Sequence, residues 1–368
     1  MPSTTLFQPA RLGSLDLPNR VVMAPLTRQR AAQPGNVPQA LNVKYYTQRA
    51  NAGLIISEGV QISPEAQGYA WTPGIHSAEQ IDGWKAVTDS VHNACGRIFL
   101  QLWHVGRISH TLIQPNGQAP VAPSAIAAKA DVYVQEPDGS HHKAAASTPR
   151  ALETAELPQV VETYAQATRN ALQAGFDGVE IHAANGYLLD QFLRDSSNHR
   201  EGPYGGSIEN RARLLLEVIE AVSGVFGSEN VGVRLSPLNS FQSMKDSDPV
   251  GLVTWLAKRL NDYGLAFVHL MRSDFFGEQQ ADVITPVREH FKGKLILNMS
   301  YTGEEAEQAI ESGLADAVAF GVPFIANPDL PERLKLGAEL NEADPSTFYT
   351  QGAEGYIDYP YLEELAEA

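Results

Sequence analysis

His182, Asn185 and Tyr187 are of types and spacing that can act together on one small molecule. A neutral imidazole and a carboxamide can both donate hydrogen bonds to one carbonyl or nitro oxygen, and a phenol can deliver a proton. They lie in Gly178-Val179-Glu180-Ile181-His182-Ala183-Ala184-Asn185-Gly186-Tyr187, a stretch that begins as an apolar strand and breaks into small residues after His182. The three are therefore expected at the carboxyl end of a strand, where α/β folds bind their ligands. A lone histidine at a strand end serves as readily to satisfy the core, so the triplet needs support from elsewhere in the chain.

Other strand ends supply that support. The first apolar run ends in Pro25-Leu26-Thr27-Arg28, the third carries Gln101 and Trp103-His104, and the fifth carries Arg234. A hydroxyl, an amide and a guanidinium can satisfy the edge of a planar heterocycle, while Trp103 and Tyr187 can cover a ring face. Each also has a plainer use: Thr27 as a turn residue, Gln101 and Trp103 as packed strand residues, Arg234 as half of an ion pair. No His/Cys/Asp set with metal-ligand spacing accompanies them, and Gly-x-Ser-x-Gly and Gly-x-Gly-x-x-Gly are both absent. Metal-assisted hydrolysis, a nucleophile elbow and a Rossmann half are thereby disfavoured.

The elements that must hold these groups are eight β-rich runs: 20–26, 53–59, 97–103, 178–182, 231–235, 265–270, 294–298 and 317–321. Their nearly continuous apolar character fits strands covered on both faces. Helical patterns occupy 39–51, 78–95, 154–174, 208–226, 249–263, 281–291, 303–312 and 328–339, and Thr302 and Asp248-Pro249 read as helix starts. Eight alternating units predict an α/β fold of the (β/α)₈ TIM-barrel type, as one domain over residues 1–368. Residues 105–152 break the alternation after strand three. They are rich in Pro, Gly, Ala and Ser, and Val132-Tyr133-Val134 with Pro137-Asp138-Gly139-Ser140 reads as a β-hairpin. Such an insertion is either a lid over the barrel mouth or a surface excursion. Leu12 to Leu17 is expected to form a turn or hairpin on the barrel floor, and the tail from Gly352 to Tyr361 to fold over the mouth or join an oligomer contact.

Composition narrows the partners. The 368-residue chain is 43% hydrophobic, enough for a large core, and its net charge of −16 argues against nucleic acid and anionic membranes. The single cysteine, Cys95, excludes an intramolecular disulfide and a cysteine-held iron–sulfur cluster. Met1 to Arg11 has no apolar signal-peptide core and no run is long enough to span a bilayer, so a cytoplasmic location is expected.

Over nearly its whole length the chain resembles the old yellow enzyme family of FMN-dependent ene-reductases, near its bacterial N-ethylmaleimide, pentaerythritol tetranitrate and morphinone reductases. The resemblance rests on residues 19–28 (Asn19-Arg20-Val21-Val22-Met23-Ala24-Pro25-Leu26-Thr27-Arg28), 100–107, His182 to Tyr187, Tyr204-Gly205-Gly206-Ser207-Ile208-Glu209-Asn210-Arg211 and Ile325-Ala326-Asn327-Pro328-Asp329-Leu330. It implies tightly but non-covalently bound FMN, with NADPH or NADH as hydride donor. Thr27 would bond the flavin C4 carbonyl, Gln101 the pyrimidine edge, and Arg234 the region of N1 and the C2 carbonyl. Pro25, Leu26 and Gly59 would pack on the ring. His182 and Asn185 would grip the substrate oxygen, and Tyr187 would protonate the α-carbon. Tyr69, Trp103, Gln242, Phe275 and Tyr356 match wall positions.

One departure stands out. Most relatives have Gly-Arg where this chain has Gly321-Val322, and that arginine usually helps bind the FMN phosphate. Backbone N–H groups near Ser300, Gly321 and Val322, with the Ser300 hydroxyl, are the expected substitutes. The resulting expectation is an NAD(P)H-dependent ene-reductase working by ping-pong hydride transfer on activated alkenes. Quinones, nitro compounds and phenolic ligands are further partners, and the protein would be a monomer or homodimer. The alternatives are a quinone or nitro-compound reductase, or a flavin- and phenol-binding barrel with little turnover.

Overall fold

The computed structural model describes residues 5–136 and 140–363. Eight parallel strands close a barrel: β1 (Val21–Met23), β2 (Leu54–Gln61), β3 (Ile98–Trp103), β4 (Gly178–Ala183), β5 (Val231–Leu235), β6 (Phe267–Met271), β7 (Leu295–Asn298) and β8 (Ala317–Phe320). Each pairs with its sequence neighbours, and β8 returns to β1. The (β/α)₈ barrel expected from the alternation is the fold of this chain, because strands covered on both faces need helices between them. The helices Ala78–Asn93, Leu157–Gln173 and Ile208–Phe226 sit within a residue or three of the predicted spans. Thr302 accepts from the Glu305 N–H at 3.1 Å and Asp248 from the Gly251 N–H at 2.8 Å, so both anticipated helix starts are capped.

Two short helices, Leu188–Leu193 and Val322–Ala326, escape the sequence reading. Six and five residues are too few to display a 3.6-residue period, and Leu188–Leu193 is buried on every side.

The barrel interior is stratified. Its lower part is apolar, with Val22, Leu54, Ile56, Phe99, Phe267, Ile296, Ala317 and Ala319 in one cluster. The N-terminal hairpin of Ala10–Leu12 and Leu15–Leu17 adds Leu12 and Leu17 to that cluster from below, as expected. A larger cluster fills the space between barrel and helices. The insertion after β3 contains antiparallel strands Asp131–Gln135 and His141–Ala145; Pro137, Asp138 and Gly139 of the expected turn lie outside the described residues. Val132 and Val134 pack in one cluster with Trp103 and Tyr187.

The tail folds back on the barrel. Arg28 donates to the carbonyls of Phe348 and Gly355, and Arg30 to those of Thr347, Phe348, Gly352 and Glu354. Both arginines are fully buried, which is tolerable because their N–H groups are paired, mostly with tail carbonyls and also with the Tyr45 hydroxyl and the Arg28 carbonyl.

Candidate active site

The carboxyl ends of β1 to β5 converge on a cleft lined by Pro25, Thr27, Gly59, Gln101, Trp103, His182, Asn185, Tyr187 and Arg234. All nine are residues singled out in the sequence. Strand register explains the convergence, since His182 lies opposite Arg234 and Gly59 opposite Gln101. An irregularity in β2 between Ile56 and Gly59 shifts the pairing with β3. The Ser57 hydroxyl meets the Gln101 N–H there at 3.0 Å, and Glu58 bonds to Tyr46 in the outer helical layer. Gly59 cannot carry a side chain, because a Cβ would lie 2.7 Å from the Trp103 indole.

Beyond β4 the chain turns sharply through Asn185 (φ 58°) and Gly186 (φ 79°) into Leu188–Leu193. Asn185 tolerates the left-handed region, and its N–H is satisfied by the Ser236 hydroxyl at 2.7 Å. Its side-chain oxygen accepts from the Asn239 amide at 2.9 Å, which leaves the Asn185 NH₂ as the free end. Asn239, in the loop after β5, was not singled out in the sequence. The available signal was a carboxamide just past a barrel strand, in a loop with no pattern of its own.

Burial, and after it the Arg234 charge, hold the His182 pKa well below the imidazole range, so the ring is neutral. A neutral ring donates one hydrogen bond without bringing a charge into the cleft. Burial pushes the Tyr187 phenol up to about 12, keeping it protonated. The Tyr187 and Tyr69 hydroxyls are 3.3 Å apart, and the Gln242 amide donates to Tyr69 at 3.1 Å. Trp103 sits edge-to-face with Tyr187 at 5.0 Å and nearly parallel to Tyr69 at 5.8 Å. Tyr69, Gln242 and Trp103 thus form a wall around the phenol.

Two expected wall residues lie elsewhere. Tyr356 is fully buried, stacked on Tyr45 at 4.1 Å and hydrogen-bonded to Asn42, with the Arg28 and Arg30 guanidinium groups over its ring. It anchors the tail and does not line the cleft. The tail residue near the site is Tyr349, close enough to Tyr69 and Tyr187 for ionisation of its phenol to be felt by both. The sequence offered several tail tyrosines and no means of ranking them. Phe275 is half-exposed and packs on Phe241, one step removed through its N–H to Asn239.

Residues 5–341 match the profile of the NADH:flavin oxidoreductase / NADH oxidase family. The chain is 47% identical to 12-oxophytodienoate reductase 1 of Oryza sativa subsp. japonica, over 98% of this chain and 94% of that one. It is 46% identical to a probable flavin mononucleotide-dependent alkene reductase of Leishmania infantum, over 97% of each. A structure of morphinone reductase in complex with tetrahydroNAD superposes with a TM-score of 0.93 at 53% identity, covering 98% of both chains. The old yellow enzyme homologue from Zymomonas mobilis gives 0.93 at 45% identity, over 98% of this chain and 100% of that one.

The chain belongs to this family. It is an FMN-dependent oxidoreductase of the old yellow enzyme type. The cleft suits the cofactor of such an enzyme. Trp103 Nε1, His182 Nδ1, Arg234 Nε and Gln242 Oε1 are buried there without a protein partner, an arrangement that calls for a polar occupant. Where the phosphate contacts were expected, Gly321 lies against Leu26, and a Cβ there would sit 3.5 Å from the leucine methyl. Val322 is half-exposed at the start of its short helix, and Met299 and Ser300 both have positive φ. Although no arginine stands at 322, Arg272 places its guanidinium against the neighbouring loop. It donates to the Met299 and Ser300 carbonyls at 2.9 and 2.8 Å and lies 3.7 Å from the centre of the Tyr301 ring. Among the described residues no His/Cys/Asp/Glu group could hold a metal ion, and no helix is long and apolar enough to cross a membrane.

Proposed function

We propose that this oxidoreductase reduces the C=C bond of α,β-unsaturated carbonyl and nitro compounds in a ping-pong cycle with NAD(P)H. The observation that carries the reading is the meeting, in one cleft, of neutral His182, the free Asn185 NH₂ and protonated Tyr187.

Bound FMN would supply the chemistry of hydride transfer between NAD(P)H and the alkene β-carbon. Thr27, Gln101 and Arg234 would hold the flavin's polar edge, with Pro25, Leu26 and Gly59 against its ring. Ser300, Gly321 and Val322 would meet its phosphate. His182 and Asn185 hold the substrate oxygen with two hydrogen bonds and stabilise the negative charge that gathers on it as the β-carbon is reduced. Two neutral donors suit this task, because they favour a charge that develops over one already present. Tyr187 delivers its phenolic proton to the α-carbon. Trp103, Tyr69, Gln242 and Tyr349 enclose the alkene and limit water, with Phe275 at one remove. The hairpin of Asp131–Gln135 and His141–Ala145 acts as a lid on this wall.

The test is the visible spectrum under anaerobic conditions. Oxidised-flavin bands should bleach with NADPH and return on addition of 2-cyclohexen-1-one. Bleaching without return to the enone, but with return to a quinone or a nitro compound, would move the activity to those oxidants. A protein that stays colourless after added FMN would overturn the reading.

A further inference from the structure

One layer below the cleft, the barrel holds two ionisable side chains that the chemistry above leaves unused. Glu180 on β4 and His269 on β6 are both fully buried. Glu180 precedes His182 by two residues and so shares its inward face. Register sets it opposite Gln101 on β3, while His269 lies opposite Arg234 on β5. Each carboxylate oxygen is engaged: Gln101 Nε2 donates to Oε1 at 2.8 Å, and His269 Nδ1 meets Oε2 at 2.7 Å. Burial favours the neutral imidazole, whose Nδ1–H then donates to the carboxylate. His269 Nε2 is left as a lone pair without a partner.

This arrangement acts on two residues of the cofactor edge at once. With its NH₂ end held by Glu180, Gln101 keeps its carbonyl oxygen free, an acceptor suited to the imide N–H of a flavin pyrimidine. Glu180 also supports the positive charge of Arg234, whose Nη2 is tied to Asn298 at 2.9 Å.

We propose that Glu180, seated by His269, is a positioning residue that orients Gln101 and offsets the Arg234 charge, and thereby sets how much more tightly the site holds reduced than oxidised FMN. The inference rests on the FMN-enzyme reading above. A carboxylate beneath the cofactor cleft would oppose the negative charge gained on reduction, so its removal favours the reduced cofactor. Loss of Gln101 orientation alone weakens both redox forms alike and leaves their ratio unchanged.

The experiment is the midpoint potential and FMN dissociation constant of the holoenzyme and two variants. Glu180→Gln keeps the shape and removes the charge. It should raise the reduced-to-oxidised affinity ratio about tenfold, equivalent to about 30 mV for a two-electron couple. Glu180→Asp keeps the charge one methylene further away, and should return the potential toward wild type while weakening FMN binding. If Glu180→Gln is not recovered folded, His269→Leu gives the same reading. It withdraws the donor that seats the buried carboxylate, and should shift the potential in the same direction. An unchanged or lowered potential in a folded neutralising variant overturns the inference. Failure of the wild-type protein to bleach with NADPH would instead overturn the functional reading beneath it.

Discussion

The Asn239 side-chain NH₂ lies 2.9 Å from the Asn185 side-chain oxygen, so the free end of the Asn185 amide is a donor. A carboxamide can present either end, and only the NH₂ can bind a substrate oxygen. Asn239→Asp sets an acceptor against an acceptor and should turn the Asn185 amide over. We expect kcat/KM for an enone to fall about tenfold, near the 1.4 kcal/mol of one hydrogen bond, with FMN affinity unchanged. Stopped-flow reoxidation against enone concentration measures it; wild-type kinetics would show that Asn239 does not set the orientation.

Tyr187→Phe should slow enone-driven reoxidation by about 10²–10⁴-fold while leaving NADPH reduction intact, as expected for loss of a general acid. Because burial holds this phenol up to about 12, the proton stays on through neutral pH and is lost only as pH climbs toward that value. The wild-type reoxidation rate should therefore be flat from about pH 6 to about pH 10. A fall with an apparent pKa near the ordinary phenol value would contradict the assignment.

If Val322 faces the FMN phosphate as proposed, Val322→Arg adds a charge-assisted contact worth about 1.5–3 kcal/mol. The FMN dissociation constant, read from fluorescence of released flavin, should drop by at least about tenfold. Arg272→Met should raise it, since that guanidinium ties down the Met299 and Ser300 carbonyls and brings positive charge to the loop. No change with Val322→Arg would mean that backbone N–H groups already saturate the phosphate.

Glu58 links the site to pH-dependent stability. Burial raises its carboxyl to about 7 from an ordinary 4.5. Between those values the folded protein holds a proton that the unfolded chain releases. Its contribution to stability is therefore full below about pH 4.5 and lost as pH rises through about 7, amounting to about 3 kcal/mol. Asp190, raised to about 6, acts in the same direction. Glu58→Gln keeps an acceptor for Tyr46 and removes the titration. Thermal unfolding should then show a smaller loss between about pH 5 and about pH 8 than in wild type. An identical pH dependence in the variant would show that Glu58 is not the titrating group.

Much of this protein was determined by its sequence. Strands such as Val231–Leu235 and Ala317–Phe320 are continuous apolar runs that must be covered on both faces, and eight of them alternating with helical patterns admit few architectures. The cleft was legible for the same reason: Thr27, Gln101, His182 and Arg234 interrupt or end apolar strands, and a closed barrel sends all such ends to one rim. What tertiary structure alone decided are relations between residues far apart in the chain. Asn239 on Asn185, His269 on Glu180 and Arg272 on the Ser300 loop are single polar side chains whose meaning comes from strand register and loop path. The tail shows the limit most clearly. Tyr349 and Tyr356 are the same residue type seven positions apart, and the buried arginines Arg28 and Arg30, gripping the intervening carbonyls, decide which turns inward to pack and which reaches the site.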